Sequence, residues 1–158
     1  MKYLINQKIF SFSDSFNIYD IDGHEVYSVV GQVLSIGHKL SFRDMDNNEL
    51  FYIKQRVMKL KPTYEIYKDD NLCSTISKRL FTFFHCAFNI NSNYGDITVK
   101  GNVLDHDYTF KINEKELANV SKKWLSIKDK YVVDISHNID NAFILAAVIV
   151  LDLCCHDN

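Results

Sequence analysis

The sequence has few glycines and lacks the short motifs of common enzymes and metal sites. Five glycines stand in 158 residues, and a glycine-rich loop that cradles phosphate groups would be hard to build from so few. The G-x-S-x-G, H-E-x-x-H and C-x-x-C motifs are also missing. We therefore expect a protein that is not an enzyme and that has no cofactor and no bound metal.

Strong net charge is absent as well. The formal charge is −2 at pH 7 and 47 % of the residues are hydrophobic, which excludes a disordered, highly charged chain. It also removes a global attraction to nucleic acid or to anionic membranes, so any attraction of this kind must be local. The length and the apolar content predict one folded domain over residues 1–158.

The cysteines and the N-terminus carry no sign of secretion. Cys73, Cys86, Cys154 and Cys155 make no disulfide framework by their spacing, which is typical of a reduced cytosolic protein. The first residues contain too short an apolar run for a signal peptide. We expect a cytoplasmic protein.

One strongly apolar segment, Ala142–Leu151, runs for about ten residues before Asp152 interrupts it, whereas a membrane-spanning helix needs about 20. A helix that is apolar on every side but too short to span a membrane belongs inside a protein. Asp140 is a good N-cap, so we predict a buried helix over residues 141–155.

The rest of the chain contains a repeat of about 21–24 residues. Each unit begins with an apolar doublet and continues with a pair of apolar residues that alternate with polar ones, as in a half-buried strand. A turn sequence and a second strand follow. The doublets are Ile9-Phe10, Val33-Leu34, Val57-Met58, Leu80-Phe81, Val103-Leu104 and Trp124-Leu125, and the alternating pairs are Phe16/Ile18, Leu40/Phe42, Tyr64/Ile66, Phe88/Ile90, Tyr108/Phe110 and Tyr131/Val133. Each unit therefore predicts one β-hairpin.

The last unit has no return strand, whereas the N-terminal segment from Tyr3 to Lys8 resembles a second strand. Pairing the first strand with the last would remove both exposed edges. The sequence thus predicts a mainly β fold, a closed barrel of about twelve antiparallel strands over residues 2–136. A barrel wider than about eight strands needs a plug, and we assign that place to the apolar helix.

Four segments resemble the LURP-one-related family: Lys2–Ser11, Leu104–Tyr108, Ser121–Trp124 and the closing helix with Asp152 and His156-Asp157. That family is similar to the tubby C-terminal domain and the phospholipid scramblases. The resemblance implies a twelve-stranded barrel around a hydrophobic helix. It assigns no particular biochemical activity to the chain. The tubby relationship implies binding of phosphoinositides through basic residues.

Several clusters have the residue types of a site but not its geometry. In Asp105-His106-Asp107, a strand would turn the histidine away from both carboxylates, and His85-Cys86 meets the same objection. The segments that begin at Asp20 and Asp44 resemble calcium loops but miss required ligands, so turn chemistry explains them. Asp152 and His156 share a helix face and are expected to neutralise one another rather than bind a metal.

The remaining feature is cationic. Basic residues follow the ends of the second strands, and hairpins in register would bring these ends to one rim of the barrel. Such a rim suits anionic lipid head groups or phosphate, although lysines at strand ends also prevent aggregation. The candidate ligand-binding residues are Lys54, Arg56, Lys78, Arg79, Lys122 and Lys123, with Lys100 and Lys8 nearby.

We therefore expect a binding module for anionic lipid at the membrane surface. A protein-interaction scaffold without a lipid ligand is the alternative, and an enzyme with a site hidden in the sequence is the third hypothesis. No nucleic acid partner and no transmembrane segment are expected.

Overall fold

The computed structural model of the chain describes residues 1–6, 15–32, 36–79, 87–122, 130–136 and 138–156. Within these ranges it contains twelve β-strands followed by one helix. The strands are β1 Lys2–Asn6, β2 Phe16–Asp20, β3 Glu25–Gly31, β4 Lys39–Arg43, β5 Glu49–Gln55, β6 Thr63–Lys68, β7 Asn71–Lys78, β8 Phe88–Ser92, β9 Gly95–Asn102, β10 Asp107–Ile112, β11 Lys115–Ser121 and β12 Lys130–Ile135, and the helix is α1 Asn141–His156.

The strands form a closed antiparallel barrel in which each strand pairs with its neighbours in the sequence. The ring closes between β1 and β12, where Lys2 lies opposite Asp134 and Asn6 lies opposite Lys130. The predicted closure by the N-terminal strand is confirmed. A closed ring leaves no strand edge open to another chain.

Tight turns join the two strands of each predicted hairpin. Asp69 and Asp70 have φ values of 50° and 61°, and Asn113 and Glu114 have values of 48° and 64°. Two successive residues with positive φ are the mark of the type I′ turn, whose twist matches that of the flanking strands. The turn sequences therefore set the hairpin registers.

The predicted alternating pairs point into the barrel. Most of them are buried: Ile18, Leu40, Phe42, Tyr64, Ile66, Phe88, Ile90, Tyr108, Phe110, Tyr131 and Val133. Asn89, which lies between Phe88 and Ile90 on β8, is exposed. This period of two places one face of the sheet in the core and the other in water.

Helix α1 fills the barrel, as predicted. Residues 143–151 are all 0 % exposed, so the helix is surrounded on every side. Asp140 caps its first turn, since Asp140 Oδ1 accepts a hydrogen bond from the backbone N–H of Phe143 at 3.3 Å. In the part of the chain that the structure describes, no helix combines the length and the apolar character needed to cross a membrane.

The barrel has two different ends. At the turn end, the tight turns at 21–24, 44–48, 69–70, 93–94 and 113–114 join the strands. At the loop end, β3, β5, β7, β9 and β11 terminate. The helix starts at the turn end, where Asp140 contacts Lys68 and Tyr94, and its last turn lies at the loop end.

The cysteines differ from the expectation of a fully reduced set. Cys73 and Cys154 are buried free thiols, but Cys155 is disulfide-bonded, and Cys86 lies outside the described residues. Disulfide formation depends on the proximity of two cysteines in space, which spacing along the chain does not reveal.

Candidate functional site

Lys54 and Arg56 are the first two basic residues predicted to form a rim. Lys54 lies near the loop end of β5, and Arg56 lies just beyond that end. Both side chains are exposed, whereas the alternating residues Phe51 and Ile53 are buried. The prediction that this face of β5 points to solvent is confirmed. The two cations nevertheless have different surroundings.

Arg56 is already paired with a carboxylate. Its Nη1 lies 2.8 Å from Oε1 of Glu65, and the second oxygen of Glu65 accepts a hydrogen bond of 2.7 Å from the Tyr67 hydroxyl. Glu65 is buried, so the guanidinium and the hydroxyl compensate its charge. Arg56 therefore holds a carboxylate in the barrel wall and is less free to bind an external anion.

Lys54 lies directly opposite Lys39 in the β4–β5 pairing. Two like charges facing each other across a strand pair are destabilising, typically by a few tenths of a kcal/mol to about 1 kcal/mol. Among the described residues, no carboxylate lies within ion-pair distance of either ammonium group. An anion lying between the two lysines would relieve their repulsion.

Lys78 is the last residue of β7, and Arg79 follows it at the same end. Lys78 Nζ donates a hydrogen bond of 3.0 Å to the carbonyl oxygen of Cys154, which is one of the unpaired carbonyls of the last helical turn. A cation suits this end of the helix dipole, so Lys78 anchors the helix. Arg79 is exposed and uses its Nε to donate to Oδ1 of Asn89 at 2.7 Å.

The other predicted basic residues are less informative. Lys122 is half-buried just beyond β11. Lys8 and Lys123 lie outside the described residues, as do His85 and the side chain of His156. Lys100 is bonded to the carboxylate of Glu114 at 2.8 Å.

The turn end has the opposite character, because acidic residues are concentrated in and beside its turns. Asp20 Oδ1 accepts N–H groups of Asp22 and His24 at 2.9 Å, and hydrogen bonds from His24 lower the pKa of Asp20. Asp44 accepts two hydrogen bonds from Asn48. The acidic residues of this end include Asp20, Asp22, Asp44, Asp46, Asp69, Asp70, Glu114 and Asp140.

Asp20, Asp22 and His24 also bring three groups of the metal-ligand type within 4.8 Å of one another. Because Asp20 already accepts the N–H groups of its own turn, these contacts explain the cluster as turn chemistry. The sequence analysis also interpreted the segments that begin at Asp20 and Asp44 as turns.

Inside the barrel, near the loop end, three polar side chains meet. His106 Nε2 lies 3.2 Å from Oδ1 of Asp152, and the hydroxyl of Tyr131 donates a 2.5 Å hydrogen bond to Oδ2 of Asp152. The His106 ring stacks on Tyr131 with 4.2 Å between centroids. All three side chains are buried. We call these residues the core triad.

Sequence reasoning missed the core triad. It expected His106 on a strand, facing away from its neighbours, and Asp152 beside His156. His106 does face away from Asp105 and Asp107, since it is turned inward while both carboxylates are exposed. It lies, however, in the tight β9–β10 connection with a φ of 50° and not on a strand. The available signal was an aspartate in an otherwise apolar helix, because a buried charge requires a partner.

Asp152 keeps Tyr131 in its neutral form. Burial in the core, and next the Asp152 carboxylate, raise the pKa of the Tyr131 hydroxyl well above its usual range. The same two causes, in the same order, act on Tyr108. Tyr131 therefore stays protonated at any physiological pH and remains a hydrogen-bond donor to Asp152.

We expect Asp152→Ala to lower the free energy of unfolding by about 1–3 kcal/mol or more, because it leaves the buried Tyr131 hydroxyl without its hydrogen-bond acceptor. Urea denaturation of the purified protein measures the change. Asp105→Ala, at an exposed carboxylate next to His106, is the control and should change stability by less than about 1 kcal/mol. An unchanged unfolding midpoint for Asp152→Ala would contradict the role of Asp152 in the core.

Comparison with known proteins identifies the family of the chain. The family model for LURP-one-related proteins matches residues 1–152. A protein of Bacillus subtilis (strain 168) named "Uncharacterized protein YxjI" is 32% identical over 158 residues, which is 100% of this chain and 96% of the relative. No solved structure matches the chain at a significant level. The chain belongs to the LURP-one-related family.

Proposed function

We propose that the loop end of the barrel binds the phosphate groups of anionic lipids at a membrane surface, and that the protein is a non-catalytic binding module. The observation that carries the proposal is the facing pair Lys39 and Lys54, which are adjacent cations. Glu65 lies opposite Lys54 on its other side, but its carboxylate is held by Arg56 and Tyr67, and no described carboxylate lies within ion-pair distance of either ammonium group. Lys59 and Lys61 lie in the next connection at the same end and also have no described carboxylate within that distance.

The distribution of charge supports a surface as the target. A lysine near an anionic leaflet contributes about 1 kcal/mol of attraction, so several lysines at one end bind usefully even though the whole protein has a formal charge of −2. The acidic turn end would be repelled by the same leaflet. The two ends together orient an approaching molecule with its loop end toward the membrane.

The test reverses the facing pair, with Lys39→Glu and Lys54→Glu in one variant. Two attractive contacts are lost and two repulsive ones are added, so binding to phosphatidylserine-containing vesicles at low salt should fall by well over tenfold. Flotation of vesicles with increasing phosphatidylserine content measures the binding. Arg56 is left in place because its reversal would leave buried Glu65 unpaired.

The matched control is Lys111→Glu with Lys115→Glu, which makes the same change of charge at the turn end. It should bind vesicles nearly as well as the parent, and both variants should keep the parental melting temperature within a few degrees. Equal vesicle binding by the parent and the Lys39/Lys54 variant would contradict the proposal. The protein-interaction hypothesis would then replace it.

A further inference from the structure

The connection between β5 and β6 carries the most exposed apolar side chains among the described residues. Met58 is 101% exposed and Leu60 is 97% exposed. The next most exposed large apolar residue, Ile36 at 85%, lies in the neighbouring β3–β4 connection. Soluble surfaces tolerate scattered apolar residues, but a group at one end of a molecule usually marks an interaction site.

The two connections are held together, so the three side chains belong to one surface. The backbone N–H of Gln55 donates a hydrogen bond of 2.8 Å to the carbonyl oxygen of His38. The backbone N–H of His38 donates one of 3.0 Å to the side-chain oxygen Oε1 of Gln55. Gly37 has a φ of 78°, and a Cβ placed there would lie 2.6 Å from Val57. Glycine therefore permits this close contact between the connections. We call Ile36, Val57, Met58 and Leu60 the apolar tip.

Cations alternate with the apolar residues along this connection. Lys59 follows Met58, and Lys61 follows Leu60. A hollow of about 510 Å³ is lined by Met58, Lys59, Leu60, Lys61 and Arg79. Among the described residues, its lining therefore has two apolar side chains, three cations and no carboxylate. Long lysine side chains can place their methylene groups beside apolar surface while the ammonium group stays at a polar boundary.

We propose that Met58 and Leu60 insert into the boundary between head groups and acyl chains of an anionic bilayer, while Lys59 and Lys61 contact phosphates at the level above them. This inference rests on the proposed function and adds insertion of apolar side chains to the proposed contact with lipid phosphates. A free phosphate would engage the lysines but leave Met58 and Leu60 in water. A bilayer offers phosphates to the two lysines and an apolar environment to Met58 and Leu60.

The first test replaces the tip residues by Met58→Ser and Leu60→Ser. Burial of an apolar side chain of this size is worth about tenfold or more in affinity, so vesicle partitioning should fall by at least about tenfold. The control is Ile21→Ser with Met45→Ser, at turn-end residues that are 62% and 51% exposed. It should partition as the parent does. The charge of both variants equals that of the parent.

The second test follows insertion directly. A polarity-sensitive fluorophore is attached to Met58→Cys or, as the control, to Ile21→Cys; the free thiols Cys73 and Cys154 are buried. On adding phosphatidylserine vesicles, emission from position 58 should shift to the blue and increase several-fold, whereas emission from position 21 should not. Inorganic phosphate should produce neither change.

The results separate this inference from the function on which it rests. One possible result is that the parent and the Met58/Leu60 variant both float with vesicles, whereas the Lys39/Lys54 variant does not. This result would overturn insertion and leave anionic-lipid binding intact. A parent that binds no vesicle at any phosphatidylserine content would overturn both. Equal losses in the tip and turn-end serine variants would also contradict insertion, because the effect would not be specific to the tip.

Discussion

Ala147→Asp should yield no soluble folded protein. Ala147 lies in the middle of α1, is 0 % exposed and has equally buried neighbours along the helix. The new carboxylate would be an unpaired charge in the centre of the barrel, with a cost of several kcal/mol. Total stabilities of domains are about 5–15 kcal/mol, so this single change removes most or all of the stability.

The soluble fraction after expression and the circular dichroism of any soluble protein measure this effect. Ile21→Asp is the control, because Ile21 is 62% exposed in the β2–β3 turn and should accept the same carboxylate with little change in melting temperature. A folded Ala147→Asp protein with the parental melting temperature would show that the helix lies outside the barrel.

Deletion of β1, residues 1–6, should convert the folded barrel into aggregates. The deletion removes the strand that pairs with both β2 and β12 and exposes two edges, each with a row of unpaired backbone groups. It also removes Tyr3 and Ile5, which are 6% and 0% exposed in the core. The loss of core contacts and the two open edges act in the same direction.

Size-exclusion chromatography with light scattering distinguishes a monomer from aggregates. Lys2→Ala is the control, since it removes an exposed ammonium group near Asp134 and leaves the strand in place. A deleted chain that stays monomeric and melts at the parental temperature would contradict the importance of ring closure.

Most of the fold follows from local sequence pattern. Alternation of apolar residues placed Leu40 and Phe42 on the inward face, and turn residues such as Asp69 and Asp70 marked the hairpins. Both signals are local, because a strand alternates its faces and a turn of two residues fixes its own register. The helix was equally evident, since an apolar segment too short for a membrane must be buried.

The repeat assigned the apolar doublets neither to strands nor to connections. Val57 and Met58 lie in the β5–β6 connection, and Val103 and Leu104 lie in the β9–β10 connection. The other four doublets lie outside the described residues. Two adjacent apolar residues show neither the alternation of a strand nor the spacing of a helix. The doublets therefore could not indicate that Met58 is exposed in one connection and Val103 is buried in another.

The candidate site was predictable in outline but not in its contacts. The outward direction of Lys54 followed from strand alternation. The pairing of Arg56 with Glu65, the capping of the helix by Lys78 and the opposition of Lys39 and Lys54 depend on register between strands or on the position of the helix. The core triad joins residues of the β9–β10 connection, β12 and α1, and no local pattern connects them.

The order of the elements along the chain has a consequence for folding. The helix that fills the barrel is the last element, and the closing contact between Met1 and Ile135 joins residues separated by 134 positions. During synthesis, the first hairpins therefore emerge with their inward faces uncovered, and β1 has β2 as a neighbour but lacks β12 on its other edge. Such distant contacts slow folding, and exposed strands invite association meanwhile. We expect the barrel to acquire its core only after α1 has left the ribosome, so that the nascent chain depends on chaperones until then.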